Sequence, residues 1–76
     1  MSKHEIFEKM AKLEVETRKQ VNQLYRVEAK DMAGRVTHEI FAIHNVIDAL
    51  GFDLQEYYDY YTANRKRLRQ EYNQVH

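Results

Sequence analysis

Between Val36 and Leu50, the apolar residues Val36, Ile40, Ile43, Ile47 and Leu50 recur at spacings of three and four. That period belongs to an α-helix and predicts one over about 36–50. Phe41, Ala42, Val46 and Ala49 widen its apolar face beyond one stripe. A helix of this kind is expected to be buried on several sides, as the central element. A second seam, Ile6, Met10, Leu13, Val21 and Leu24 with Met32 beyond it, runs through the N-terminal half. Ser2 and Glu5 stand three apart at its start, the spacing of a capping box. Thr17 and Gln20 interrupt the seam and leave room for a polar layer or a bend. No breaker precedes Gly34, so the pattern predicts a first helix over about 3–33, roughly 45 Å long. In "ALGFDLQE", Gly51 suits the left-handed position after a helix end and Phe52 can fold back on Ile47. Asp53 then caps a third helix over about 54–73, with Glu56 completing a second capping box. The short link predicts that helices two and three form a hairpin.

Composition sharpens this picture. The chain has 76 residues, no proline and two glycines, Gly34 and Gly51. So few punctuators argue for a small number of long elements, hence a single all-α domain over 1–76 with three helices. The expected first helix is about twice the second. Its N-terminal half, with Ile6, Phe7, Met10 and Leu13, therefore lacks a partner within the chain. A second copy would supply one, so these residues are the expected interface of a homodimer or higher oligomer that completes the bundle. Lys plus Arg and Asp plus Glu balance at 12 each. This is neither a basic nucleic-acid binder by bulk charge nor an acidic mimic of DNA. The absence of cysteine removes disulfides and thiolate metal sites and fits a reducing compartment. No apolar run approaches the roughly 18 residues of a membrane span, and "MSKHEIFEKM" lacks the apolar stretch of a signal peptide. The expectation is a soluble cytoplasmic protein.

The chemistry concentrates in "YYDYYTANRKRLR", residues 57–69. At 100° per residue Tyr58, Thr62, Arg65 and Arg69 share one face of a helix. Aromatic rings interleaved with guanidinium groups can hold bases and phosphates. Alternatively, Tyr57 and Tyr61 extend the apolar face set by Leu54 and are buried, leaving the arginines in solvent at the helix end. Glu56, Asp59 and Glu71 dilute any positive field. The second reading is preferred, with Tyr58, Arg65, Arg67 and Arg69 as the candidate partner-binding residues. His44 and Asp48 share a face of helix two, with His38 on another, but one helix offers too few ligands for a metal. Ser2 is the only serine, Thr17, Thr37 and Thr62 have no base nearby in sequence, and there is no glycine-rich phosphate loop. No catalytic residue, metal site or cofactor is expected.

Glu5, Glu8, Glu28 and Asp31 read as E-x-x-E, a gap of 19, then E-x-x-D. This spacing, with the tail "ALGFDLQEYYDYYTANRKR", is similar to the all-α nucleoside triphosphate pyrophosphohydrolases over about a quarter of the chain. The resemblance implies magnesium held by carboxylates on two facing helices. The chain departs from that pattern: Lys9 and Met10 follow Glu8 where E-E-x-x-E would continue, and Arg35 and His38 fall where the second motif would lie. One straight helix would also hold the two clusters roughly 30 Å apart. The expected function is therefore a non-catalytic module that binds itself and a larger protein, as adaptor or inhibitor. The alternatives are a nucleic-acid binder using the Tyr/Arg face and a nucleotide-binding helical protein.

Overall fold

The computed structural model describes residues 1–75 and consists of three helices, α1 (Lys3–Arg26), α2 (Lys30–Ala49) and α3 (Leu54–Val75). The all-α expectation holds, but the first boundary moves. α1 stops at Arg26, not near residue 33, and Gly34 lies inside α2. The stop is a Schellman motif. The Ala29 N–H donates to the Leu24 carbonyl at 2.8 Å and the Glu28 N–H to the Tyr25 carbonyl at 3.1 Å. The left-handed residue this motif requires is Glu28, at φ 60°. The end of α2 repeats the motif with the expected glycine. The Phe52 N–H donates to Ile47 at 3.2 Å, the Gly51 N–H to Asp48 at 2.9 Å, and Gly51 has φ 82°.

The helix starts match the sequence in part. The Ser2 hydroxyl accepts the Glu5 N–H at 3.2 Å. Asp53 caps α3 by accepting the Gln55 N–H at 3.0 Å. Glu56 does not close a box there; its carboxylate pairs with Lys3 of α1.

Corrected in this way, the helices are 24, 20 and 22 residues long. The length mismatch behind the expected oligomer interface is absent. Phe7 lies in the chain's own core, edge-on to Phe52 at 5.7 Å and to Tyr57 at 5.5 Å. Ile6 and Met10 are half-buried against the same core, and only Leu13 is exposed. The buried face of α1 carries Phe7, Ala11, Glu14 and Val15, about one residue around from the seam of larger side chains. Ala11 at the centre lets a neighbouring helix approach closely, which the bulkier seam would not.

α1, not α2, is the central element. Lys3 reaches Glu56 and Lys19 reaches Asn73, so α3 runs parallel to α1. α2 runs antiparallel, with His44 beside Glu14. Both neighbours pack on α1 and barely touch each other. Phe41 and Val46 of α2, and Leu50 just after it, therefore stay exposed. The core comprises Phe7, Ala11, Val15, Ile43, Ile47, Tyr57, Tyr61 and Leu68. Burying each large side chain among them stabilises the fold by about 1.5–3 kcal/mol. No helix among the described residues is long and apolar enough to cross a membrane.

Candidate functional site

A carboxylate lies in the middle of this core. Glu14 is 1% exposed, on the buried face of α1. Stripping water from an ionised carboxylate costs several kcal/mol unless donors replace it. Here three residues do. Arg18 Nε donates to Oε2 at 2.8 Å. Tyr57 donates its hydroxyl to Oε1 at 3.0 Å, and His44 Nε2 lies 2.8 Å from the same oxygen. Burial, followed by the Glu14 charge, pushes the Tyr57 phenol far above its ordinary range, so it keeps the proton it donates to Glu14. With the His44 proton on Nε2, Nδ1 can accept from the Tyr58 hydroxyl 3.4 Å away. No buried side-chain polar atom among the described residues lacks a partner. The network fixes the rotation of α3 about its axis, and with it the direction of Tyr58.

Tyr58, Thr62, Arg65 and Arg69 follow at spacings of four, three and four, so they form one stripe of α3. Facing Arg18 of α1, they line a groove of about 300 Å³, with Glu14 and Tyr61 at its base. The Arg18 guanidinium lies over the Tyr61 ring, 5.5 Å from its centroid. Burial pushes the Tyr61 phenol up, and the nearby charges of Arg18, Arg69 and Arg65 pull it back. The groove continues along α1 past Lys19, Asn22, Gln23 and Arg26, with Arg69 and Asn73 on the other wall. Five cations therefore line one cleft: Arg18, Lys19, Arg26, Arg65 and Arg69. Among the described residues the only carboxylate lining it is Glu14, which already pairs with Arg18.

On the opposite flank of the α1/α3 seam Arg67 is paired. Arg67 Nη2 and Nη1 lie 2.6 and 3.1 Å from the two Glu8 oxygens, a bidentate fork. Nη1 also reaches Glu71 at 2.9 Å, and Tyr60 donates to Glu8 at 2.6 Å. The Arg67 hydrogen bonds hold Glu8 well below the usual carboxylate range, at about 2. Arg67, grouped by sequence with Tyr58, Arg65 and Arg69, is thus separated from them and serves to clamp α3 to α1. The side chains of Arg65 and Arg69, by contrast, make no ion pair or hydrogen bond with any described residue. Two like charges four apart on a helix destabilise it by about 0.2–0.5 kcal/mol. The fold bears that repulsion on the groove side with no carboxylate among the described residues paired to either arginine.

The remaining candidates disperse. His44 turns to Glu14 instead of Asp48, and His38 rests edge-on to Phe41 at 6.2 Å. Glu5 and Glu8 sit near the start of α1, whereas Glu28 lies in the turn beyond its end and Asp31 in the first turn of α2. Among the described residues, no group of three or more His, Asp or Glu is placed to hold a metal ion. The arrangement resembling the pyrophosphohydrolase pattern is not gathered into one site. Tyr57 and Tyr61 are buried as expected, at 0% and 8% exposure. Sequence reasoning missed Glu14, Arg18, Lys19 and Arg26. For Glu14 and Arg18 the one signal is the 4-3-4 spacing Phe7, Ala11, Glu14, Arg18, which places a charge on the core face of α1. No protein-family model, curated protein or solved structure matches the chain.

Proposed function

We propose that the chain is a small non-catalytic interaction module that binds a larger protein, as adaptor or inhibitor, by seating an acidic segment of it in the α1/α3 groove. The observation that carries this reading is the pair Arg65 and Arg69, exposed and without a carboxylate, in a cleft shared with Arg18. Guanidinium groups left unpaired in a chain of zero formal net charge favour an anionic partner. Arg18, Arg65 and Arg69, with Tyr58 and Thr62 beside them, would supply the contacts, and the outcome is occlusion or bridging with no bond made or broken. A reducing compartment such as the cytoplasm suits a chain without cysteine. Single-stranded nucleic acid is the less favoured occupant. Tyr61 is buried beneath Arg18, so of the two rings in the groove only Tyr58 is exposed for base stacking, short of a run of stacking platforms.

Capture from native extract with nuclease present, comparing the wild type with Arg65→Gln/Arg69→Gln, tests the reading. A protein retained by the wild type and lost by the variant is the expected result. Equal capture by both would sink it. So would loss on nuclease treatment together with a log-log salt slope near the number of phosphates contacted, which would assign the groove to nucleic acid.

A further inference from the structure

We infer that the Tyr58 end of the groove, where Arg65, Arg69 and Thr62 of α3 face Arg18 of α1, recognises a phosphomonoester on a phosphorylated side chain of the partner's acidic segment. The inference rests on the groove being the partner surface and adds the chemistry of what enters it.

Charge is the first argument. Three guanidinium groups and one buried carboxylate line this end. They leave a surplus of two positive charges. A phosphorylated side chain carries about −1.5 to −2 near neutral pH and matches that surplus, whereas a carboxylate or a phosphodiester carries a single charge. Donor geometry is the second. Arg18 spends only its Nε on Glu14, so its terminal nitrogens remain for a ligand. Arg65 and Arg69 come from the other helix with every nitrogen unused by the described residues. Planar forks arriving from two helices suit the three oxygens of a phosphoryl group better than the two of a carboxylate. The exposed Thr62 hydroxyl adds a neutral donor. Size is the third argument. About 300 Å³ admits a phosphate and the end of the side chain bearing it. The adjoining stretch, with Lys19 and Arg26, is left for flanking acidic residues.

NMR titration of the isotopically labelled chain tests this at constant ionic strength near neutral pH. The probes are O-phospho-L-serine, inorganic phosphate, dimethyl phosphate and glutamate. O-Phosphoserine is expected to shift the Arg18, Arg65 and Arg69 side-chain signals and to bind at least about tenfold more tightly than dimethyl phosphate or glutamate. Arg65→Gln/Arg69→Gln is expected to lose that binding while its backbone spectrum stays dispersed. Equal affinity for dimethyl phosphate or glutamate overturns the inference. Unchanged binding by the variant also overturns it, as does a site that takes inorganic phosphate but not O-phosphoserine. Phosphatase treatment of the extract separates the two readings. Partner capture that needs the arginines but survives phosphatase removes this inference and leaves the interaction module standing. Capture indifferent to the arginines removes the module itself.

Discussion

Glu14 and Glu8 are two carboxylates on α1 with opposite problems. Glu14 is held by its donors away from water, so removing it leaves the Tyr57 hydroxyl and the nearby His44 nitrogen without an acceptor inside the core. Glu14→Ala is expected to destabilise by about 3–5 kcal/mol, the usual result of breaking a buried charged network. Tyr57→Phe removes one donor and should cost less, about 1–3 kcal/mol. Urea unfolding of both variants checks this, and a loss below that of Tyr57→Phe for Glu14→Ala would contradict the central place of the carboxylate. Glu8 is partly exposed and governed by Arg67. Its folded value of about 2 lies below the ordinary 4.5. A depressed carboxylate stabilises the fold above its unfolded value, and that contribution disappears as pH falls from about 4.5 through about 2. Because the partner Arg67 side chain is 43% exposed, screening reduces the effect to on the order of 1 kcal/mol. Stability measured against pH should therefore fall across that window in the wild type and lose part of the slope in Glu8→Gln.

At the scale of the elements, the two glycines make opposite predictions. Gly34 lies within α2 with open space where a Cβ would go, so Gly34→Ala should stabilise by about 1 kcal/mol. Gly51 occupies the left-handed position of a Schellman end, so Gly51→Val should cost about 1–2 kcal/mol although nothing would touch the new side chain. Glu28 adopts the same conformation without a glycine's freedom, and Glu28→Gly should gain up to about 1 kcal/mol. Thermal melting of the three variants distinguishes these signs, and a stabilised Gly51→Val would contradict the turn. This contrast also explains what was legible in the sequence. The α2/α3 junction could be read because glycine, phenylalanine and aspartate stand in their usual places. The α1/α2 junction could not, since "VEA" contains no residue that favours a left-handed turn. That turn exists because packing α2 back onto α1 outweighs the strain at Glu28. In the site, the stripe from Tyr58 to Arg69 followed from helical periodicity. Its confrontation with Arg18 did not, because it depends on α3 lying parallel to α1 across two turns. The exclusion of Arg67 depends on Glu8, which is 59 residues away in the chain.

At the scale of the whole molecule, helices of matched length leave a smaller surface for self-association than the sequence suggested. Leu13 of α1, Val46 of α2 and Leu50 just beyond the end of α2 are 45%, 44% and 53% exposed. Sedimentation at micromolar concentration is expected to show a dimer that Leu13→Glu or Val46→Glu returns to the 9.2 kDa monomer. A wild type already monomeric there would end the idea of a homo-oligomer. The packing of α2 and α3 on α1, with little contact between them, has a further consequence. Two seams meet at one helix, so α3 can lift away without parting α1 from α2. Backbone amides should then exchange with deuterium in two cooperative groups, with those of α3 released by the cheaper opening and those at the middle of α1 only on global unfolding. A ligand in the groove bridges Arg18 with Arg65 and Arg69, across the α1/α3 seam alone. Its arrival should slow deuterium uptake in α3 and leave α2 unaltered, so the binding event would be recorded along the backbone as the locking of one hinge.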